Sequence, residues 1–145
     1  MSQDTAELAK RWFRDVWGKQ RSDAAVDLLS VQDVVQHNAD GTTVSTPEWK
    51  AFRKQLIDAV PDLDVAIEGV VASGDEAVVR WRFTGTHRGT VFGVAGSGRG
   101  IDVCGMTWLR FRDGKIVEGW DGWNVSGLVQ YLSQPAAAKE RSAAG

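Results

Sequence analysis

The sequence predicts an α+β fold: a cone-shaped, curved antiparallel sheet of four to six strands, with about three N-terminal helices that cover a pocket. Apolar residues recur at helical spacing in the first 60 positions. From about residue 63 they alternate with polar residues, as in strands that bury one face. Such an order favours a sheet that packs one face against segregated helices. Because long strands twist, a sheet curling around helices leaves a conical cavity at its open end.

Three segments of the first half have the pattern of helices. Residues 4–19 carry large apolar side chains on one face and Lys and Arg on the other. Ser22 can cap a second, short helix that ends near Leu29. The segment at 46–48, Thr-Pro-Glu, supplies a cap, a proline at the first helical position and an early acid, and Pro61 ends that third helix.

Turn residues separate the remaining segments into strands. A brief strand is expected in 31–41, leaving through an Asp-Gly turn. The main strands are predicted near 63–72, 76–87, 101–112 and 115–124. Five glycines between 89 and 100 predict a longer, mobile connection. Residues 125–133 resemble a last helical turn or two, and 134–145 a frayed tail without apolar periodicity.

Composition limits the class of protein. With 145 residues, 43% of them apolar, the chain has room for one hydrophobic core, so we expect a single domain over 1–145 with its core at about 6–133. A net charge of -2 gives no reason to expect nucleic acid or membrane as a partner. No apolar stretch approaches a membrane span and the start does not resemble a signal peptide, so we expect a soluble, cytoplasmic protein. Cys104 has no partner for an internal disulfide.

Seven tryptophans beside one tyrosine are unusual. The indole ring is large and flat and carries one N–H donor, so it can fill a core or line a pocket for a planar ligand. A core role is the commoner one for any single Trp, but among seven we expect at least one or two to contact a ligand.

Asp121 is the candidate acid/base. Alternation along GKIVEGWDGWN sends one set of side chains to each face of the strand: Val117, Gly119, Asp121 and Trp123 to one, and Ile116, Glu118, Trp120 and Gly122 to the other. Apolar neighbours desolvate a carboxyl group and raise its pKa toward the neutral range that general acid/base chemistry needs. The alternatives are a solvent-facing Asp near the strand end and an Asp that caps the following helix.

Other site chemistries have little support. His37 and His87 lie near strand ends and could transfer protons, although a lone His is more often structural. Neither histidine has metal-ligand spacing with another ligand, so we expect no metal. No G-x-G-x-x-G opens a helix after a strand and no G-x-S-x-G is present, so a dinucleotide site or a serine nucleophile is not predicted.

A succession of motifs resembles one known family. The motifs are GTHRG at 85–89, the glycine-rich loop at 93–99, RFRDGKI at 110–116 and VEGWD at 117–121. On these, and on an early His37-Asn38 pair, the chain from about 6 to 133 resembles the SnoaL-like polyketide cyclases, a branch of the nuclear-transport-factor-two-like superfamily.

The resemblance implies a function and roles for residues. It implies ring closure of an aromatic polyketide ester, of the anthracycline type, by aldol condensation without metal or cofactor, with Asp121 moving the proton. Candidate substrate-binding residues are the hydrogen-bonding His37, Asn38, His87 and Thr107 and the stacking Trp123. Strand DVCGMTWLRF offers only Gly105 and Thr107 beside Leu109 and Phe111, which is fewer donors than the cyclases carry.

That departure keeps alternatives open. Members of the family from the same antibiotic pathways resemble cofactor-independent hydroxylases, and others of the superfamily are non-catalytic binding or dimerisation domains. We expect a homodimer or homotetramer, whose two-fold interface could use some of the convex-face residues Arg80, Arg82, Trp108 and Arg110.

Overall fold

The computed structural model describes residues 2–19 and 23–135. Its helices are α1 (Ser2–Trp12), continued by one π-helical segment (Phe13–Trp17), α2 (Asp23–Leu29), α3 (Thr46–Ala59) and α4 (Val125–Leu132). Its strands are β1 (Ser30–His37), β2 (Thr43–Val44), β3 (Asp64–Ser73), β4 (Glu76–Thr86), β5 (Gly100–Arg112) and β6 (Lys115–Trp123). The predicted α+β class is confirmed, and the four main strands lie within one or two residues of their predicted bounds. The predicted Ser22 cap and the tail beyond residue 135 lie outside the described residues.

The six strands form one open, curved sheet in the order β2-β1-β6-β5-β4-β3. Strands β3 to β6 are the expected antiparallel meander. The all-antiparallel prediction is wrong at β1, which pairs with β6 in parallel. No tight turn joins these two strands, so hairpin geometry does not set their relative direction. The sheet is therefore mixed.

Helix α3 begins one residue earlier than the sequence pattern indicated. The hydroxyl of Ser45 accepts the backbone N–H of Glu48 at 3.3 Å, and the Glu48 carboxylate accepts the backbone N–H of Ser45 at 3.0 Å. This reciprocal capping box satisfies two N–H groups at the helix start. The cap is thus Ser45, and Thr46, which we expected to cap, is the first residue inside the helix.

A buried arginine fixes the helices over the inner face of the sheet. Arg53 of α3 is 2% exposed. Its Nε and Nη2 donate to the backbone oxygen of Val16 at 3.1 and 2.6 Å, and its Nη1 donates to Asp23 Oδ1 at 2.6 Å. A helix leaves its last carbonyl groups without hydrogen-bond partners, and the guanidinium satisfies one of them at the end of the π-helical segment. Through its bond to Asp23 it also holds α2 beside α3.

The main core lies between the helices and the inner face of the sheet. None of the helices in 2–19 and 23–135 has the length and apolar character that crossing a lipid bilayer requires.

Candidate active site

A cavity of about 100 Å³ lies between the helices and the inner face of the sheet. Its walls are mostly aromatic and aliphatic, and five of the seven tryptophans line it: Trp12, Trp17, Trp49, Trp81 and Trp123. Asp121 is its one ionisable lining residue within the described part of the chain. The predicted cavity between helices and sheet is therefore present, with Asp121 and Trp123 in its wall.

Two side chains hold the carboxylate of Asp121. The Thr107 hydroxyl donates to Oδ1 at 2.7 Å from the neighbouring strand β5. The amide Nε2 of Gln36, on strand β1 at the other side of β6, donates to Oδ2 at 3.3 Å. Each carboxylate oxygen thus has a donor from a different neighbouring strand.

Trp81 determines which way the hydroxyl of Thr107 points. The buried Trp81 Nε1 lies 2.9 Å from Thr107 Oγ1. An indole N–H can only donate, so the Thr107 oxygen must accept there and its own hydrogen is free to go to Asp121. Trp81, Thr107 and Asp121 therefore form a directed hydrogen-bond chain, and the role of Thr107 in substrate binding stays a prediction.

The surroundings raise the pKa of Asp121 above the ordinary value of an aspartic acid. Burial of the carboxyl is the largest cause, and the hydrogen bonds from Thr107 and Gln36 act in the opposite direction. Desolvation favours the neutral form, whereas donors favour the anion. The net result is a more basic carboxylate than an exposed one, as proton abstraction from carbon requires.

Glycine opposite Gln36 makes room for its side chain. Gln36 pairs with Gly119 across the parallel strands, and a Cβ at Gly119 would lie 2.8 Å from Gln36 Oε1. Sequence reasoning missed Gln36, although alternation along β1 places it on the opposite face from His37. The signal was present, but it could be used only once the neighbour of β1 was known to be β6.

His37 and Asn38 lie away from the cavity. His37 Nε2 is 2.7 Å from Glu118 Oε2, and its ring stacks on Trp120 with centroids 5.2 Å apart. Both contacts lie on the outer face of the sheet. The amide of Asn38 donates to Thr42 Oγ1 at 3.1 Å within the turn after β1. The structure does not bring either residue to Asp121.

His87 organises the loop between β4 and β5. Its side chain is fully buried. The backbone N–H of Ser97 donates to Nδ1 at 3.2 Å, and Nε2 lies 3.2 Å from the backbone oxygen of Val94, to which it donates. The connection expected to be mobile thus closes around a buried ring, and His87 does not line the cavity.

A β-bulge alters the strand parity near the start of β6. Arg110 pairs with Glu118 but Phe111 pairs with Ile116, so Val117 is an extra residue in β6. The prediction that Ile116 faces away from Asp121 is wrong, because the bulge turns Ile116 into the cavity wall. From Glu118 onward the predicted alternation holds.

Within residues 2–19 and 23–135, no group of three or more His, Cys, Asp or Glu side chains could hold a metal ion. Besides the indole N–H groups of the tryptophans, the polar groups of the cavity are hydroxyls, an amide and one carboxylate. Such a set can move a proton and donate hydrogen bonds.

Comparison with known proteins decides the family. The family model of the SnoaL-like polyketide cyclases matches residues 7–132. The chain belongs to the SnoaL-like polyketide cyclase family. A search of curated proteins finds no significant match.

Solved structures agree with this SnoaL-like assignment. A candidate SnoaL-like polyketide cyclase from Jannaschia sp. CCS1 has 25% identity and a TM-score of 0.84, covering 92% of this chain and 94% of its own. AclR, a candidate hydroxylase from Streptomyces galilaeus, has 26% identity and a TM-score of 0.80, covering 93% and 100%. A candidate polyketide cyclase from Acidithiobacillus ferrooxidans has 27% identity and a TM-score of 0.74, covering 92% and 96%.

Gly105 is required for the position of Trp81. A Cβ at Gly105 would lie 2.5 Å from the Trp81 ring and 2.7 Å from the Trp123 Cβ. We expect Gly105→Ala to lower the free energy of unfolding by about 1–3 kcal/mol, the usual cost of overpacking. Gly100→Ala on the same strand, with nothing within 4 Å, is the control and should change it by less than about 1 kcal/mol. Urea denaturation measures both, and equal effects would contradict this packing argument.

The raised pKa of Asp121 predicts a pH-dependent stability. Between the ordinary Asp pKa of about 3.9 and the raised value, the folded protein binds more protons than the unfolded chain, so stability falls as pH rises. Asp121→Asn has no titrating carboxyl at this position, so its stability does not fall with pH for this reason. We expect its free energy of unfolding, relative to that of wild type, to rise as pH rises from about 4 and then to level off.

The control for this prediction has the opposite sign. Arg82 holds the pKa of the exposed Asp102 below its usual range. Asp102→Asn should therefore lose stability relative to wild type near neutral pH, and the difference should shrink as pH falls. Urea denaturation between about pH 2 and 8 tests both variants, since the stability that Asp102 contributes is lost only below about pH 5. A constant difference for Asp121→Asn would show that the carboxyl has no raised pKa.

Proposed function

We propose that this SnoaL-like protein is a cofactor-independent enzyme that closes a ring of an aromatic polyketide ester by intramolecular aldol condensation. The observation that carries the proposal is the Asp121 carboxylate, held by Thr107 and Gln36 in an aromatic cavity where burial raises its pKa. The proposed setting is a cytoplasmic pathway to an anthracycline-type antibiotic.

The proposed reaction needs one group that accepts and returns a proton. Asp121 takes the proton from a carbon between two carbonyl groups, and the C–H electron pair is delocalised as an enolate. That carbon attacks the carbon of another carbonyl group in the same molecule and a C–C bond forms. The resulting alkoxide takes the proton back from Asp121. Electrons balance without an oxidant or reductant, so a single tuned carboxylate suffices.

The lining of the cavity favours a flat, uncharged substrate. Five indole rings offer apolar faces for stacking, with Trp123 beside Asp121 on β6. No Lys, Arg or His lines the cavity in the described part of the chain, so a substrate carboxylate would have no cationic partner there. Burying an unpaired carboxylate is costly, and an ester in place of a free acid avoids that cost.

Hydroxylation of a polycyclic polyketide is the second candidate, favoured by the likeness to AclR over 93% of the chain. The same deprotonation by Asp121 would yield a carbanion that reacts with dioxygen. Release of water and a hydroxylated product then also needs a two-electron reductant.

A non-catalytic binding domain is less favoured, because the tryptophans leave the cavity open beside a carboxyl with a raised pKa.

Asp121→Asn and Asp121→Ala test the acid/base role. We expect both to lower turnover of a polyketide ester by at least about 100-fold, since neither side chain can accept the proton. Mass spectrometry of the product distinguishes the two reactions. Aldol closure leaves the mass of the substrate unchanged or lowers it by one water, whereas hydroxylation adds the mass of one oxygen atom. Asp102→Asn, on the outer face, should keep wild-type turnover. Wild-type turnover in both Asp121 variants would remove the proposed mechanism.

The outer face of the sheet is the proposed interface of a homodimer or of a homotetramer built from such dimers. Met106 and Trp108 are 53% and 48% exposed at its centre. The charges around them are already paired with opposite charges: Arg80 with Glu68, Arg82 with Asp102 and Arg110 with Glu118. Because the face is apolar at its centre and balanced in charge, a second copy can approach it without repulsion.

Trp108→Glu should dissociate this assembly. A charge at the centre of an apolar interface has no partner there, so we expect the sedimentation coefficient to fall to that of a monomer. Leu28→Glu, an equally polar change at a 63% exposed position of α2, is the control and should leave the assembly intact. A wild-type monomer, or an intact Trp108→Glu assembly, would contradict the interface.

A further inference from the structure

One hydroxyl in the cavity has no hydrogen-bond partner. Apart from the tryptophans, five polar side chains line the cavity: Ser30, Gln36, Thr46, Thr107 and Asp121. Ser30 donates to the backbone oxygen of Val26, and Gln36, Thr107 and Asp121 are bonded to one another as described. Within the described residues, Oγ1 of Thr46 is the one cavity-lining side-chain polar atom that is both buried and without a hydrogen-bond partner.

The start of α3 explains why the hydroxyl of Thr46 is free. A threonine at a helix start usually accepts a backbone N–H, but Ser45 performs that task here. Thr46 is the first residue inside the helix, and it lines the cavity. A buried hydroxyl without a partner lowers stability, so it needs an explanation, such as an ordered water or a role in binding or catalysis.

We infer that the Thr46 hydroxyl donates a hydrogen bond to a carbonyl oxygen of the substrate, and so selects neutral aromatic ketones over hydrocarbons of the same shape. The inference rests on the proposed function. The hydroxyl hydrogen of Thr107 and one of the two amide N–H groups of Gln36 are donated to Asp121, whose ionised carboxylate can only accept. Thr46 therefore offers a substrate carbonyl oxygen a buried donor that has no other partner.

A binding experiment with two bicyclic probes tests this role independently of turnover. The probes are 1-tetralone and tetralin, which differ by one carbonyl oxygen. Quenching of tryptophan fluorescence reports binding, because five indoles line the cavity. We expect wild type to bind 1-tetralone more tightly than tetralin, and Thr46→Val to weaken only 1-tetralone, by about five- to tenfold.

Three further variants make the result specific. Thr46→Ser keeps the hydroxyl and should keep the preference for the ketone. Thr46→Ala should lose it as Thr46→Val does, so the test does not depend on the folding of one variant. Thr43→Val makes the same chemical change at an exposed position of β2 and should have no effect.

The outcomes separate this inference from the proposed function. If both probes bind and Thr46→Val leaves the ketone preference unchanged, or weakens both probes equally, the role of Thr46 is overturned while the cavity remains a ligand site. If neither probe binds wild type, the cavity itself is not a site for aromatic ligands, and both proposals fall. Loss of the preference only in Asp121→Asn would place the carbonyl oxygen on Asp121 and overturn the role of Thr46.

Discussion

The main constraint on the structure is one carboxylate that must be kept in a largely apolar cavity. Removing a charged carboxyl from water is costly unless donors replace the lost hydration. Thr107 and Gln36 supply those donors, and their hydrogen bonds lower the pKa of Asp121 while its burial raises it. Because burial has the larger effect, the group becomes more basic without being unpartnered. The order of the strands serves this balance, since it places β5 and β1, which carry the two donors, on the two sides of β6.

Close packing around the carboxylate requires the absence of side chains at two positions. Gly105 leaves space for the Trp81 ring, whose N–H orients Thr107, and Gly119 leaves space for Gln36. Both glycines are next to a donor group that a methyl group would displace. Trp81 is thus more than a cavity wall, because its single N–H decides the direction of the hydrogen bond that reaches Asp121.

Much of the fold was predictable because its signals are local. Alternation along β3 to β6 and the Asp113-Gly114 turn, with φ of 52° and 79°, define the meander through side-chain direction and backbone preference. Alternation also put Asp121 and Trp123 on one face of β6, and the structure places that face on the cavity. Alternation could not predict the parallel partner of β1, because pairing between strands distant in sequence leaves no local pattern. Nor did alternation alone reveal the bulge in the β5–β6 hairpin that turns Ile116 inward, because one extra residue changes the parity of a strand without changing its composition. None of His37, Asn38 and His87 lines the cavity. Their predicted substrate roles stay predictions without support from a contact at the site.

By itself the sequence determined the class of fold, the strand that carries the carboxylate and, through its motifs, the family. Those properties depend on residue type and on spacing along one segment, where side-chain direction follows from the backbone period. Only the tertiary structure decided which groups touch that carboxylate. Gln36, which donates to it, and Trp81, which orients Thr107, lie 85 and 40 residues away along the chain. The capping of α3 by Ser45 leaves Thr46 in the wall of the same cavity. Contacts of this kind arise from the order and register of strands, which the packing of the whole sheet selects.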